Sequence, residues 1–328
     1  MLRRSLGKTG IETSALGFGC VQLTSCQSTK NAVSILENAL SAGITHFDIA
    51  RSYGFGRAEG IFSSFLHNKR SSVTVATKFG FELPAILSGN PKLISFAKKI
   101  LKPFPSLLQR AKNHGSSMVN SSIFNPESMI KSLEKSLFEL KTDYIDIFLL
   151  HEALLTDTTN LALTEALQTQ VAKGKIRCFG IASDFGKISG GVELIPAAYK
   201  ILQSNDDTTN LNIQKLQLHE NCNAITHSVF KHFNSLRRAI SKNPVLADSF
   251  LEQTDLDLNE STMLSALLLH HSLQNNPNGI VLFSSMNPLH IKTNAIESTI
   301  RRFNQSQLSK FSEFANLFFK INEMSLIS

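Results

Sequence analysis

The stretch ITHFDIARSYGFGRAEGIFSSFLHNKRSSVTVATKF (Ile44–Phe79) decides the fold, because it holds one complete strand–helix–strand unit. Thr45, Phe47 and Ile49 alternate with His46, Asp48 and Ala50, the period-2 pattern of a strand. Residues 56–69 read as a helix and VTVATKF (73–79) as the next strand. A strand that returns through a helix pairs in parallel with the strand it reaches. Asp48 is a carboxylate inside an apolar run, so it needs a partner before it can be buried. Tyr53 follows just past the strand, beside Gly54 and Gly56.

The same rhythm repeats on both sides. TSALGFGC (13–20) precedes helical NAVSILENALSAG (31–43), which Gly43 stops. PESMIKSLEKSLFELK (126–141) places Met129, Leu133, Leu137 and Leu140 at helical spacing. YIDIFLLH (144–151), helical LALTEALQTQVAKG (161–174) and IRCFGIAS (176–183) follow. AAYKILQS (197–204) and NAITHSVF (223–230) read as strands, and helical TMLSALLLHHSL (262–273) leads into GIVLFSS (279–285). About eight strands, most followed by a helix, is the number at which a parallel sheet closes. The expectation is an α/β fold: a single-domain (β/α)8 TIM barrel over 1–328. It carries a long loop excursion over 81–124 after the third strand and a helical tail from about 304 to 328.

The bulk numbers fit one folded unit: 328 residues, 42% hydrophobic, net charge +7. Lys98, Lys99, Lys102, Arg110 and Lys112 form the densest basic stretch, read as a solvated helical face rather than an anion site. Cys20, Cys26, Cys178 and Cys222 show no metal or disulfide spacing and read as reduced thiols. The polar SLGKTGIETS behind two arginines argues against a signal peptide, and no apolar run is long enough to span a membrane. A cytoplasmic protein with no nucleic-acid or membrane partner is expected. His270 and His271 are helical neighbours facing different ways, so a metal-dependent barrel has no ligand cluster.

Barrel chemistry gathers at the C-terminal strand ends. Those ends carry Asp48 and Tyr53, then Lys78, then His151. Reducing a carbonyl by hydride transfer builds charge on oxygen, and a proton must arrive there. A phenol holds its proton at neutral pH, and a neighbouring ammonium stabilises the phenolate left behind. Asp48 would keep Lys78 charged and oriented, and a neutral His151 could hydrogen-bond the substrate oxygen. Phe18, Phe55, Phe79 and Phe81 are candidate walls for the pocket.

LGKTGIETSALGFGC, GITHFDIARSYGFGRAE, VATKFG, SLEKSLFELKTDYIDIFLLH and GKIRCFGIAS resemble, in order and spacing, signature segments of the aldo-keto reductase superfamily. The likeness runs from Leu6 to about Ser183 and resumes at VLFSSMNPLHIKTN (281–294). It implies a barrel that binds a nicotinamide cofactor without a Rossmann motif, with Asp48, Tyr53, Lys78 and His151 as the catalytic tetrad. It further implies an oxidoreductase interconverting a small-molecule carbonyl (aldehyde, ketone or sugar) and its alcohol. A cofactor-sensing regulatory or scaffold subunit is the alternative.

The resemblance also implies cofactor contacts. Gly19 and Cys20 end the first strand, and Ser183, Asp184 and Gln203 would hold the nicotinamide amide. Asp184 stands where the family usually has Asn, and a carboxylate accepts but cannot donate. A shifted register would choose Gln217 over Gln203, leaving little chain before the next strand. His227 occupies the place of a stacking aromatic; stacking and structural roles both stay open. Ser284, Ser285, Met286, His290 and Asn294 would meet the adenosine end. NADP(H) is placed ahead of NAD(H) on family habit, although Ser284 and His290 stand where cations are common. A 2′-phosphate rewards a cation, and Lys292 is the compensating candidate.

Overall fold

The computed structural model describes residues 1–54, 56–80, 123–209, 211–215 and 222–324. The 81–122 part of the excursion, its basic stretch, Phe55, Phe81 and Gln217 lie outside the described residues.

An antiparallel hairpin, β1 (Arg3–Ser5) and β2 (Glu12–Ser14), opens the chain. Eight parallel strands then close into a barrel: β3 (Leu16–Gly19), β4 (His46–Asp48), β5 (Thr74–Phe79), β6 (Ile145–His151), β7 (Ile176–Ala182), β8 (Ile201–Asn205), β9 (Asn223–His227) and β10 (Ile280–Phe283). The ring is in chain order, and β10 pairs back onto β3. The barrel inferred from strand counting is therefore the fold. The strands are shorter than their apolar runs: β4 keeps only His46–Asp48, β8 begins only at Ile201 and β9 stops at His227.

Numbering only helices longer than one turn, the outer layer begins with α1 (Thr29–Ser41), α2 (Ala58–Leu66), α3 (Pro126–Leu140) and α4 (Leu161–Ala172). Ser28, Asn125 and Asn160 cap α1, α3 and α4 by accepting from backbone N–H groups of the first turn. Beyond β9 come α5 (Phe233–Lys242), α6 (Pro244–Thr254), α7 (Ser261–Asn275), α8 (Pro288–Glu297) and α9 (Gln305–Met324). Of these, α5, α6, α7 and α9 share a second apolar core built on Leu236, Phe250, Leu264, Phe311 and Phe318. Of these four, α7 and the tail that became α9 were expected from the sequence.

Strand periodicity divides the main core in two. Ala76, Ile147, Leu149, Cys178, Ile201 and Ile225 fill the barrel interior, while Phe47, Val75, Phe79, Phe148 and Leu150 pack outward against helices. Leu6 and Ile11 of the hairpin join the interior cluster, and Arg177 donates to the carbonyl of Gly10 at 2.8 Å. The hairpin thus stoppers the end where the strands begin. Buried Asp146 ties that end together, accepting from Arg70 at 2.7 Å, Arg177 at 3.0 Å and the Val75 N–H at 2.9 Å.

Glu59 on α2 is fully buried and accepts from Thr77 Oγ1 at 2.7 Å, while its Oε2 has no partner among the described residues. Burial pushes its carboxyl up to about 7 against the Thr77 bond. The folded protein therefore holds a proton that the unfolded chain gives up, and stability falls as pH rises from about 4.5 to about 7. Glu59→Gln should remove this slope, so melting temperatures measured across that window should show the variant gaining on the native protein. Parallel curves would refute the assignment.

Candidate active site

Inward rows of the barrel end in polar residues at the rim. Asp48 stands two residues after inward His46, Lys78 after Ala76, His151 after Leu149, Gln203 after Ile201 and His227 after Ile225. All five line one cavity of about 410 Å³. Tyr53 reaches it from the turn after β4. That turn needs Gly54: its φ is +58°, and a Cβ there would sit 2.0 Å from Thr24 Cγ2.

The structure brings together the four residues expected to form the tetrad. Lys78 Nζ donates to Asp48 Oδ1 at 2.5 Å, to Tyr53 OH at 3.2 Å and to the Ile49 carbonyl at 3.2 Å. Both charged side chains are nearly inaccessible, at 2% and 4% exposure, so neither can rely on water. Burial works against the ammonium, but Asp48 and the Tyr53 oxygen outweigh it and hold Lys78 above its ordinary value. The Tyr53 and His151 rings meet edge to face with centroids 6.3 Å apart. Burial, reinforced by the Lys78 charge, lowers His151 to about 3, so the imidazole is neutral at physiological pH.

Three expectations change. Tyr53 is raised, because burial of the hydroxyl exceeds the lowering by Lys78; the ammonium moderates the phenol without making it acidic outright. Gln203 Nε2 donates to Asp48 Oδ2 at 2.7 Å, so its NH2 is committed to positioning the carboxylate. Phe18 and Phe79 are not pocket walls: alternation with inward Lys78 turns Phe79 outward, and both rings lie in the helix-facing core. Val229, Phe230 and Phe283 line the cavity instead.

Other expected cofactor contacts divide by place. Gly19, Ser183, Asp184, His227 and Ser284 line the cavity that holds Asp48, Tyr53, Lys78 and His151. Ser183 Oγ donates to the Ala153 carbonyl at 2.7 Å, leaving its lone pairs for a ligand, and His227 Nδ1 lies 2.9 Å from Ser228 Oγ. Ser285, His290 and Asn294 line a neighbouring cavity of about 580 Å³. Cys20 and Met286 line neither; Cys20 is fully buried and Met286 packs its sulfur 3.7 Å from Cys26. The two cavities share Phe230 and Ser284 as walls. Ser284 Oγ is buried with no hydrogen-bond partner among the described residues.

Sequence reasoning missed the rim pair Glu152–Lys187, 2.5 Å apart, with Glu152 in the left-handed region at φ +62° directly after His151. Its signal was adjacency to His151. Among the described residues no group of three or more His, Cys, Asp or Glu could hold a metal, and no helix is long and apolar enough to cross a membrane.

A family model described as Aldo/keto reductase family matches residues 15–316. The chain belongs to that family. It is 29% identical over 185 residues to the uncharacterized oxidoreductase YqkF of Bacillus subtilis (strain 168), covering 56% of this chain and 49% of the relative. It is 30% identical over 183 residues to D-threo-aldose 1-dehydrogenase of a Pseudomonas species, covering 53% and 51%. The chain thus spans about half the length of these curated relatives. Among solved structures it resembles the holo aldo-keto reductase AKR11C1 from Bacillus halodurans, with TM-score 0.68 and 17% identity over 96% of both chains. An aldo-keto reductase from Klebsiella pneumoniae in complex with NADPH gives TM-score 0.67 and 17% identity over 97% of this chain and 96% of that one. At such identities the likeness is one of fold.

Breaking the buried ion pair should be expensive. Asp48→Asn is expected to cost roughly 3–5 kcal/mol, because it strands the Lys78 ammonium. Adding Lys78→Met should recover part of that loss in denaturant titrations; strictly additive losses would count against an essential pair.

Proposed function

We propose that this protein interconverts an aldehyde, ketone or sugar carbonyl and its alcohol, using a nicotinamide dinucleotide, with NADP(H) ahead of NAD(H). The observation that carries the reading is Lys78 Nζ lying 3.2 Å from Tyr53 OH and 2.5 Å from Asp48 in the cavity shared with His151. When bound, the dinucleotide supplies or accepts a hydride at the carbonyl carbon.

The chain's own groups manage the oxygen. Tyr53 OH gives its proton to the oxygen as charge builds there, and Lys78 stabilises the resulting phenolate. Asp48 holds the ammonium on Tyr53, and Gln203 holds Asp48. Neutral His151 offers a ring nitrogen to the same oxygen without adding a competing positive charge. In the reverse direction the Tyr53 phenolate, stabilised by Lys78, takes the alcohol proton.

The two adjoining cavities suit an elongated ligand. Ser183, Asp184 and the carbonyl oxygen of the Gln203 side chain would meet the nicotinamide amide, with His227 beside the ring. Ser284 spans the junction, and its hydroxyl, without a partner among the described residues, favours a polar ligand atom there. Ser285, His290 and Asn294 would meet the adenosine end.

Tyr53→Phe should lower turnover of a carbonyl panel by roughly a hundredfold or more, the usual worth of a positioned acid. Binding of reduced nicotinamide dinucleotide, followed by its own fluorescence, should be nearly unchanged. Native turnover in the variant would remove Tyr53 as the proton donor.

A further inference from the structure

We propose that Arg237 is the cation that selects a 2′-phosphorylated dinucleotide, a role that Ser284 and His290 leave unfilled. The inference rests on the nicotinamide reading above and adds to it a residue from outside the sequence motif. Lys292, the compensating candidate from sequence, is exposed on α8 and does not line the adenosine-side cavity. Arg237 does, approaching from the opposite wall on α5.

Helix geometry explains the approach. Leu236, Ala239 and Ile240 are the buried face of α5, so Phe233, Asn234 and Arg237 fall together on an adjacent face toward the cavity. Arg238, the next residue, lies outside the lining. Arg237 is exposed and makes no ion pair or hydrogen bond among the described residues. Its guanidinium fork is therefore not committed to another carboxylate, and a fork matches phosphate geometry.

The rest of the wall has the character of an anion site. Among the described residues no carboxylate lines it, whereas Ser261, Thr262, Ser265, Ser285 and Thr293 supply hydroxyls. Ser261 and Thr262 are the first two residues of α7, and Leu289 and His290 belong to the first turn of α8. Two positive helix ends thus border the same space as the arginine. The buried Ser284 hydroxyl without a partner among the described residues is a further polar atom on this wall. A neutral ribose has little need of this combination; a dianionic phosphate does.

Calorimetric titration with adenosine 2′,5′-bisphosphate and with 5′-AMP isolates the 2′-phosphate, the sole difference between the two ligands. The native protein should bind the bisphosphate more tightly, and Arg237→Ala should weaken it by roughly tenfold or more, as for a charge-assisted contact. Binding of 5′-AMP should stay within about twofold, and Arg238→Ala should alter neither ligand, since only a lining cation is involved. Equal losses for both ligands, or no loss for either, would overturn the assignment. Failure of the native protein to bind either nucleotide would overturn it together with the groove. Turnover with nicotinamide dinucleotides is measured apart from these titrations, so hydride chemistry could stand while the Arg237 role falls.

Discussion

The Asp48–Lys78 ion pair is the constraint around which the rest of the site is arranged. Two charges with almost no access to water persist only if each finds compensation, and here every near neighbour contributes. Asp48 accepts from Lys78 on one oxygen and from Gln203 on the other. Lys78 donates to Asp48, to the Ile49 carbonyl and to Tyr53. These contacts leave the ammonium little choice of position, so it stands at the phenol oxygen. The satisfaction of a buried charge and the placement of an ammonium beside the phenol are one arrangement.

Barrel register makes the pair possible. Asp48 sits opposite Ala76 on β5, two residues before Lys78, so both side chains belong to inward rows. A one-residue slip would turn both outward and bring Phe47 and Phe79 inside. The outward set is apolar and aromatic, with Phe79 stacked on Phe148 at 5.1 Å, which opposes such a slip. Polar groups that secure the fold lie at the other end of the barrel, where Asp146 gathers Arg70 and Arg177. The candidate site and the closing ion pairs thus occupy opposite ends of the same strands.

Much of this was legible in the sequence because strand–helix rhythm and strand-end residues are local features. Eight apolar runs became eight barrel strands, and Asp48, Tyr53, Lys78 and His151 converge as expected. What escaped was set by direction and distance. Phe18 and Phe79 are near the site in sequence, yet alternation turns them into the core. Gln203 was expected on the nicotinamide amide, and only three-dimensional placement showed its NH2 on Asp48. Arg237 lies far from the 284–294 motif and meets that wall only because α5 folds over it. Likewise, the sign of the Tyr53 shift depends on how deeply its oxygen is buried, which sequence spacing does not express.

The most direct measurement is an ultraviolet titration of tyrosinate formation in the native protein and in Lys78→Met, with Tyr53→Phe subtracted to isolate Tyr53 from Tyr144 and Tyr199. Because the ammonium opposes the effect of burial, the Tyr53 phenolate should form at lower pH in the native protein than in Lys78→Met. Ionisation at the same pH in both, or earlier without the lysine, would contradict the account.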